Sequence, residues 1–426
     1  MAFLTTVQAR ISFQNTHSCG QCRCGCAAIT IMLRLSPEDP KAVMPFAKRL
    51  LWLSGFRQET EQLEKKIFFN LFVYVAALLI PKVCSPYPDS ETIIRGLSEL
   101  IFFTNVYVGY YCFVVQHRHY RDLLNEIQSF VNVVYPTSQQ PESPSERTLI
   151  KLNVKINKFS VLYCWYLATA GLIYWGTPCL MTYHSVLKAK AEYGPNHPIR
   201  FYPNLEGSFY GLDNRTSVYG YAAFSIVALL VFAFASYNNA TKLLTILSTI
   251  KYCSTLLQLV GVEVDNLNHT SSEAISRELK KVIQLHQLAL RCVALLNQTL
   301  SFVMALQLAL CILTWCFTLL YILIVGFNAI ATNGLLIMIN MTLEMFGYCF
   351  FCTELDTTGK IVSRQMYEFR WEQHRPTVQK MVAMIIARSQ TPLQITACGF
   401  IPINLELFTK VVKHSYTVLA VLKDLI

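Results

Sequence analysis

The feature that most limits how this chain can fold is a series of long apolar segments separated by polar stretches. About 20 residues of α-helix, rising ~1.5 Å per residue, cross the hydrocarbon core of a bilayer. Seven segments approach or exceed that length: 67–82, 97–117, 159–183, 218–238, 296–327, 334–353 and 395–422. The sequence therefore predicts an all-α, polytopic membrane protein with seven transmembrane helices.

Composition agrees with a lipid environment. Of the 426 residues, 53% are hydrophobic and 15% are charged, whereas an ordinary soluble domain carries about 25% charged residues. The first segment is the shortest, and it could instead be a buried or interfacial helix. We interpret it as a span because Lys65, Lys66 and Lys82 at its ends can extend toward the lipid headgroups.

The positions of Lys and Arg predict the orientation, since cytoplasmic loops close to the spans are enriched in these residues. With the N-terminus in the cytoplasm, the inner segments hold 27 Lys and Arg residues and the outer loops hold six. The C-terminus is then extracellular, which is opposite to a G-protein-coupled receptor. The sequence Asn214-Arg-Thr216 lies in the predicted outer loop 184–217, and we predict glycosylation at Asn214.

Helical patterns continue on the predicted cytoplasmic side. Apolar residues recur at helical spacing beyond the fourth and fifth spans, and we expect two long helices that break around residues 261–272. Together, residues 239–295 and 354–392 are predicted to form a cytosolic helical packing region.

The N-terminus carries four close cysteines, Cys19, Cys22, Cys24 and Cys26. Palmitoylation or a metal site is an alternative, but structural zinc usually takes a second, distant pair of ligands. We interpret residues 1–31 as a disordered, Cys-rich extension, with Met32 as an alternative start, and residues 32–426 as the seven-helix domain. A disulfide between Cys84 and Cys179, near the predicted outer surface, stays open.

Motifs for catalysis are missing from the sequence: it has no HExxH, GxSxG, Walker or dinucleotide glycine pattern. We therefore expect no enzymatic activity, no cofactor, no bound metal and no nucleic-acid partner.

Charged residues inside the predicted spans require an explanation. Each costs at least about 2.5 kcal/mol at the centre of a bilayer, so it usually faces protein or water. Glu344 in the sixth span is expected to be a buried hydrogen-bonding residue, whereas Glu406, Lys410 and Lys413 follow one stripe of the seventh. The last span is predicted to line an aqueous pore or to lie at the centre of a bundle. A transporter is a weaker alternative, because the chain shows no internal repeats.

The C-terminal part of the chain resembles the insect odorant receptors. The segments 392–400 (PLQITACGF) and 404–408 (NLELF), followed by Ser415-Tyr416-Thr417, are similar to that family's C-terminal signature. Length, span number and orientation are also similar over residues 32–426. The long second cytoplasmic loop of the odorant co-receptor is missing here. The last span also lacks the Thr-Tyr and Gln-Phe pattern of gustatory receptors.

The resemblance implies an odour-tuning subunit in the plasma membrane of olfactory sensory dendrites. Such a subunit joins the odorant co-receptor in a tetrameric, nonselective cation channel surrounded by membrane lipid. The last helix would line the pore, with a hydrophobic gate near its outer end, and we assign Ser415, Leu419 and Leu422 to pore and gate. A G-protein-coupled chemoreceptor is the alternative, but Asp-Arg-Tyr after the third span and Asn-Pro-x-x-Tyr in the seventh are absent.

The resemblance also implies a closed, apolar pocket for small volatile odorants among the outer halves of the second, third, fourth and sixth spans. Ala168, Gly171 and Trp175 share one helix face, where Trp175 would stack on the ligand and Gly171 would make room. The competing interpretation for each aromatic residue is ordinary core packing. The predicted ligand contacts are Phe103, Tyr107, Ala168, Gly171, Tyr174, Trp175, Tyr221, Phe224, Ile337 and Met341.

Overall fold

The protein is a bundle of long helices. A computed structural model describes residues 43–53, 55, 65–134, 144–189, 191, 199–212, 214–271, 273–326 and 331–425. The predicted extension 1–31, with its four cysteines, lies outside the described residues.

Within the described residues the chain forms eleven α-helices and one short β-hairpin. A π-helical turn, Val75–Leu79, joins the second and third helices, and a 3-10 turn, Trp371–Gln373, precedes the tenth. The helices are α1 Pro45–Leu53, α2 Lys65–Tyr74, α3 Ile80–Val83, α4 Ser90–Val115, α5 His117–Val134, α6 Pro144–Lys188, α7 Val218–Leu267, α8 Ile275–Val325, α9 Thr332–Glu368, α10 Pro376–Ser389 and α11 Leu405–Leu425.

The predicted spans fall on these helices. Among the described residues, α4, α7, α8 and α9 are long and apolar enough to cross a membrane by length and hydropathy alone. The first predicted span corresponds to a shorter apolar helix, Ile67–Val83, and the third to the second half of α6. The seventh corresponds to α11, which carries the charged stripe noted above.

The predicted start of the last span is wrong, because a hairpin precedes the helix. Strands β1 (Thr396–Ala397) and β2 (Ile401–Pro402) pair antiparallel, and the turn between them places Cys398 and Gly399 at positive φ, which a helix does not allow. The helix α11 begins only after Asn404, whose Oδ1 accepts a hydrogen bond from Leu407 N at 2.8 Å, as a helix N-cap does.

The helices α7 and α8 continue well past the fourth and fifth predicted spans, as the spacing of apolar residues indicated. The break between them falls at residues 268–274, slightly later than predicted. Gly261 lies inside α7, where a Cβ atom would come 2.0 Å from Gln365 Oε1. The glycine therefore lets α9 approach α7 closely at this point.

The middle of α7 is the centre of the bundle. Every residue from 238 to 250 is buried, and α7 packs against α4, α6, α8 and α9. A helix that is buried on all sides needs neighbours all round. The central position of α7 brings its side chains into contact with most of the structure, including the cavity described next.

Candidate ligand-binding cavity

A cavity lies between α4, α6, α7 and α9, the helices of the second, third, fourth and sixth predicted spans. Its volume is about 60 Å³, below the ~300–1,000 Å³ typical of small-molecule sites, so a small organic ligand would need the lining side chains to move apart. Its lining is mostly apolar and aromatic: Phe102, Phe103, Val106, Leu167, Ala170, Gly171, Tyr174, Phe232, Ala235, Ser236, Asn239, Leu336, Ile337 and Asn340.

Aromatic rings form one wall of the cavity. The rings of Phe103 and Phe232 stack at a centroid distance of 6.1 Å, and Tyr174 meets Phe232 edge-on at 5.0 Å. Such arrangements stabilise the rings against one another. The wall is therefore well packed and offers an apolar surface to a ligand.

Amide side chains form a polar end of the same cavity. Asn239 on α7 donates from Nδ2 to Asn340 Oδ1 on α9 at 3.4 Å, and Tyr163 on α6 donates to the same oxygen at 3.4 Å. Both asparagines line the cavity and are almost fully buried. The cavity thus combines an apolar body with one polar end.

A buried ion pair lies one helical turn from the two asparagines. Lys242 Nζ is 2.7 Å from Glu344 Oε1, and it also donates to Asn105 Oδ1 at 2.6 Å and to Gln307 Oε1 at 2.9 Å. Tyr348 donates to Glu344 Oε1 at 3.0 Å. Glu344 therefore faces protein, as expected of a charged residue inside a span.

A segment of the loop between α6 and α7 packs on the predicted outer ends of these two helices. Asn204 is fully buried, donates to the carbonyl oxygen of Trp175 at 2.7 Å and accepts from Ser225 Oγ at 3.0 Å. Tyr221 donates to the carbonyl oxygen of Tyr202 at 2.9 Å. This covering segment, residues 201–209, therefore occupies the space between the outer ends of α6 and α7.

Charged groups hold the covering segment to α4. Glu206 accepts from Arg95 at 2.9 Å and from Arg215 at 2.6 Å, and Glu99 binds Lys82 at 2.5 Å and Arg95 at 3.1 Å. Burial raises the pKa of the Glu206 carboxyl, against the opposing effect of Arg95. Three cations around two carboxylates give the cluster a net charge of +1, and each buried carboxylate has a cationic partner, as buried charges require.

Four of the ten predicted ligand contacts line the cavity: Phe103, Gly171, Tyr174 and Ile337. The structure places the other six outside this lining: Tyr107, Ala168, Trp175, Tyr221, Phe224 and Met341. Ligand binding at any of them stays a prediction.

Three of the differences lie at the outer ends of α6 and α7. Trp175 donates from Nε1 to the carbonyl oxygen of Ser225 on α7 at 2.8 Å. Tyr221 donates to the carbonyl oxygen of Tyr202 in the covering segment, and Phe224 packs on Phe209 of the same segment at a centroid distance of 4.6 Å. These three aromatic side chains make contacts outside the cavity lining.

The remaining three differences follow from helix faces. Ala168 is exposed, because the face of α6 that meets the cavity runs through Leu167, Ala170 and Tyr174. Tyr107 donates to the carbonyl oxygen of Val231 at 3.3 Å, and Met341 packs in the core. The face of α6 that was predicted to contact the ligand is therefore rotated from the face that lines the cavity.

The two asparagines at the polar end of the cavity were not among the predicted ligand contacts. Asn239 and Asn340 are amides within or next to apolar spans, where a polar group is costly and often functional. That signal was present in the sequence, but it did not show that the two side chains meet. Only the packing of α7 against α9 brings them together.

The last helix, α11, packs on α8 and α9. Ser415 is only 4% exposed and Val411 is 8% exposed, so this face is directed at the protein's own helices. A pore-lining role for Ser415 stays a prediction. Lys413 and Thr417 lie on the exposed side. The side chains of the predicted gate residues, Leu419 and Leu422, lie outside the described part of the structure.

Two other predicted features lie on the outer side: a glycosylation site at Asn214 and an open question of a disulfide between Cys84 and Cys179. Asn214 is 6% exposed, so a glycan on its nitrogen would need the loop to open, and glycosylation stays a prediction. Cys84 and Cys179 are both free thiols, and Cys179 Sγ accepts from Asn204 Nδ2 at 3.3 Å. Within the described residues, no three His, Cys, Asp or Glu side chains converge as metal ligands.

Comparison with known proteins agrees with the resemblance noted in the C-terminal sequence. A family model described as 7tm Odorant receptor matches residues 89–416. Among curated relatives, Odorant receptor 2a of Drosophila melanogaster is 29% identical over 82 residues, which are 19% of this chain and 21% of that protein. Odorant receptor 19a of the same species is 26% identical over 142 residues, covering 33% of this chain and 36% of that protein.

Two solved structures have the same fold over most of the chain. The insect olfactory receptor OR5 from Machilis hrabei gives a TM-score of 0.66 at 15% identity, covering 88% of this chain and 96% of that one. The same receptor in complex with eugenol gives a TM-score of 0.66 at 14% identity, covering 89% and 97%.

The helical bundle with its largely apolar cavity is that of a multi-pass, all-α membrane receptor. Because the family model covers about three quarters of its length, the chain belongs to the seven-transmembrane odorant receptor family.

Proposed function

We propose that this chain is the odorant-binding subunit of a ligand-gated, nonselective cation channel, which it forms with the odorant receptor co-receptor. The observation that carries the proposal is the largely apolar cavity between α4, α6, α7 and α9. A small volatile molecule has little polar surface, and such a site recognises it by apolar burial and shape.

The four predicted contacts that line the cavity are the ligand contacts that we propose: Phe103, Gly171, Tyr174 and Ile337. Gly171 leaves space at this point of the cavity, because a Cβ atom there would lie 3.2 Å from Ser236 Oγ. The matched receptor OR5 has been solved with eugenol, an aromatic volatile, and the aromatic wall of this cavity suits a flat ligand in the same way.

The exposed face of α11 supports a pore made by several subunits. Lys413 and Thr417 are polar and exposed on a helix that the sequence assigns to the membrane. Polar side chains at that depth need protein or water around them. One α11 helix from each subunit, arranged about a common axis, would place these side chains in water. Leu419 and Leu422 are proposed as the gate by resemblance to the family.

The proposed assembly lies in the plasma membrane of olfactory dendrites, with the N-terminus inside. The distribution of Lys and Arg supports this orientation, since the segments assigned to the inside hold 27 of them and the outer loops hold six. In this orientation the covering segment faces the side from which odorants arrive.

Gating would follow from differential affinity. A ligand can favour the open state only if it binds that state more tightly than the closed one. The cavity helix α9 also packs on α11, for example through the rings of Phe346 and Phe408 at 5.5 Å. A ligand that shifts α9 would therefore change the packing of the pore helix.

Whole-cell current tests the proposal. Cells expressing this chain with the co-receptor should give fast, odorant-dependent current when G-protein signalling is blocked, and cells expressing this chain alone should not. Responses that disappear with the G-protein block would instead favour a G-protein-coupled chemoreceptor and would contradict the proposal.

A further inference from the structure

The polar end of the cavity carries unused hydrogen-bonding capacity. Asn239 is 2% exposed and Asn340 is 5% exposed, yet Asn239 Oδ1 and Asn340 Nδ2 have no hydrogen-bond partner among the described residues. A buried polar atom without a partner is costly. Two such atoms on adjacent side chains that line a cavity point to a ligand that completes them.

The number of free donors and acceptors does not depend on how the side-chain amides of Asn239 and Asn340 are oriented. Asn239 Nδ2 donates to Asn340 Oδ1 as the side chains stand. If both amides turned over, the contact would be retained with its roles exchanged, and one donor and one acceptor would again be free. If only one amide turned over, two oxygens or two NH₂ groups would face each other, and the hydrogen bond between the side chains would be lost. The pair therefore presents one free donor and one free acceptor in either arrangement.

We propose that Asn239 and Asn340 form a subsite for a neutral hydroxyl group on an otherwise apolar ligand. A hydroxyl donates one hydrogen bond and accepts others, so it can donate to the free amide oxygen and accept from the free amide nitrogen. An ether or an aldehyde only accepts, and it leaves the amide oxygen unpaired. The class of ligand is thus an aromatic or cyclic alcohol or phenol.

The charges near the subsite favour a neutral ligand. The fourteen side chains that line the cavity include none of Asp, Glu, Lys, Arg or His. Lys242 and Glu344, one turn deeper, neutralise each other at 2.7 Å. A carboxylate or an ammonium group would lose its hydration here without gaining a countercharge.

The aromatic wall suits the remainder of such a ligand. Phe103, Tyr174 and Phe232 pack together on one side of the cavity. A ring can contact this wall while its hydroxyl reaches the amides. This inference rests on the proposed function only in that the cavity is the odorant site.

Ligand binding can be tested without channel activity. The full-length chain with a fluorescent tag, purified with the co-receptor, is heated with phenylethanol or with the methyl ether of phenylethanol, and the melting of the tagged chain is followed. Phenylethanol should raise the melting temperature at a concentration about tenfold lower than the ether. Equal shifts, or no shift with either compound, would overturn the proposal.

Substitutions test whether Asn239 and Asn340 cause the preference for phenylethanol over its methyl ether. Asn239→Leu and Asn340→Leu should each abolish the preference for phenylethanol while the shift with the ether is retained. Asn238→Leu is the matched control: Asn238 is fully buried beside Asn239 but does not line the cavity, so the preference should persist. A preference that survives in both asparagine variants would contradict the subsite.

The ligand-free protein gives a second measurement. If the two amides are kept for a ligand, the triple variant Tyr163→Phe/Asn239→Leu/Asn340→Leu should melt at or above the wild-type temperature, because it removes the two unpaired polar atoms together with the Tyr163 hydroxyl, which would otherwise lose its two asparagine partners. A clearly lower melting temperature would make the pair a structural contact and would refute the proposal. Selective binding of phenylethanol without any current would refute only the channel function.

Discussion

Lys242 Nζ on α7 lies 2.7 Å from Glu344 Oε1 on α9, and neither side chain has accessible surface. The pair joins two of the four helices that form the cavity. Because Asn105 and Gln307 also accept from Lys242, helices α4 and α8 are tied to the same ammonium group. The polar centre therefore fixes the relative positions of four helices beneath the candidate site.

Glu344→Leu should destabilise the receptor strongly, since it leaves the Lys242 ammonium buried without its countercharge. Loss of one partner of a buried ion pair lowers the free energy of unfolding by roughly 3–5 kcal/mol. We expect a lower melting temperature and reduced delivery of the receptor to the cell surface. Lys242→Met added to Glu344→Leu should restore most of the loss.

The exposed pair Arg364 and Glu368 provides a control for that experiment. Both side chains are more than half exposed, and an exposed ion pair contributes only about 0–1 kcal/mol. Glu368→Gln should therefore leave the melting temperature nearly unchanged. An equal effect of Glu344→Leu and Glu368→Gln would show that the buried pair has no special role.

Gly171→Ala should narrow the cavity, because the added Cβ atom lies 3.2 Å from Ser236 Oγ. We expect the half-maximal concentration of ring-containing volatiles to rise about tenfold, while that of small linear ones changes little, since one methyl-sized change in an apolar pocket alters binding by ~1–3 kcal/mol. Gly176→Ala, which would meet nothing within 4 Å, is the control. A uniform loss for all ligands would argue against a steric limit here.

His286 should make the stability of the helical packing region depend on pH. Burial, and then the nearby Arg388, lower the pKa of its imidazole to about 4. The unfolded chain therefore binds a proton near pH 6.5, where the folded protein does not, and stability falls as the pH decreases from about 6.5 toward 4.

The expected loss between pH 6.5 and 5.5 is at most about 1.4 kcal/mol, and it can be measured as a shift in melting temperature. His286→Gln has no proton to take up in this range, so its melting temperature should change less over the same interval. A parallel dependence in both proteins would assign the effect to other groups.

Lys413→Gln should raise the single-channel conductance for cations, since Lys413 is exposed on the polar side of α11 and a positive charge at a cation pathway is unfavourable. Lys410→Gln should have a smaller effect, because Glu406 binds Lys410 at 2.7 Å and already compensates its charge. Unchanged conductance in the Lys413 variant would place this side chain outside the pore.

Apolar runs and charge bias alone determined the class of this protein. Segment lengths predicted seven helices, and the C-terminal signature, including Ser415-Tyr416-Thr417, indicated the family that the comparison then showed. These features are local, since the length of an apolar run and the placement of Lys and Arg do not depend on which helices become neighbours.

The tertiary structure decided which side chains share the cavity. Trp175 and Gly171 lie one turn apart on α6, yet only Gly171 lines the cavity, because the Trp175 indole donates to the carbonyl oxygen of Ser225 on α7. Asn239 and Asn340 are 101 residues apart in the chain, and no periodicity links them. Contacts between distant helices depend on helix rotation and loop placement, which a single sequence does not specify.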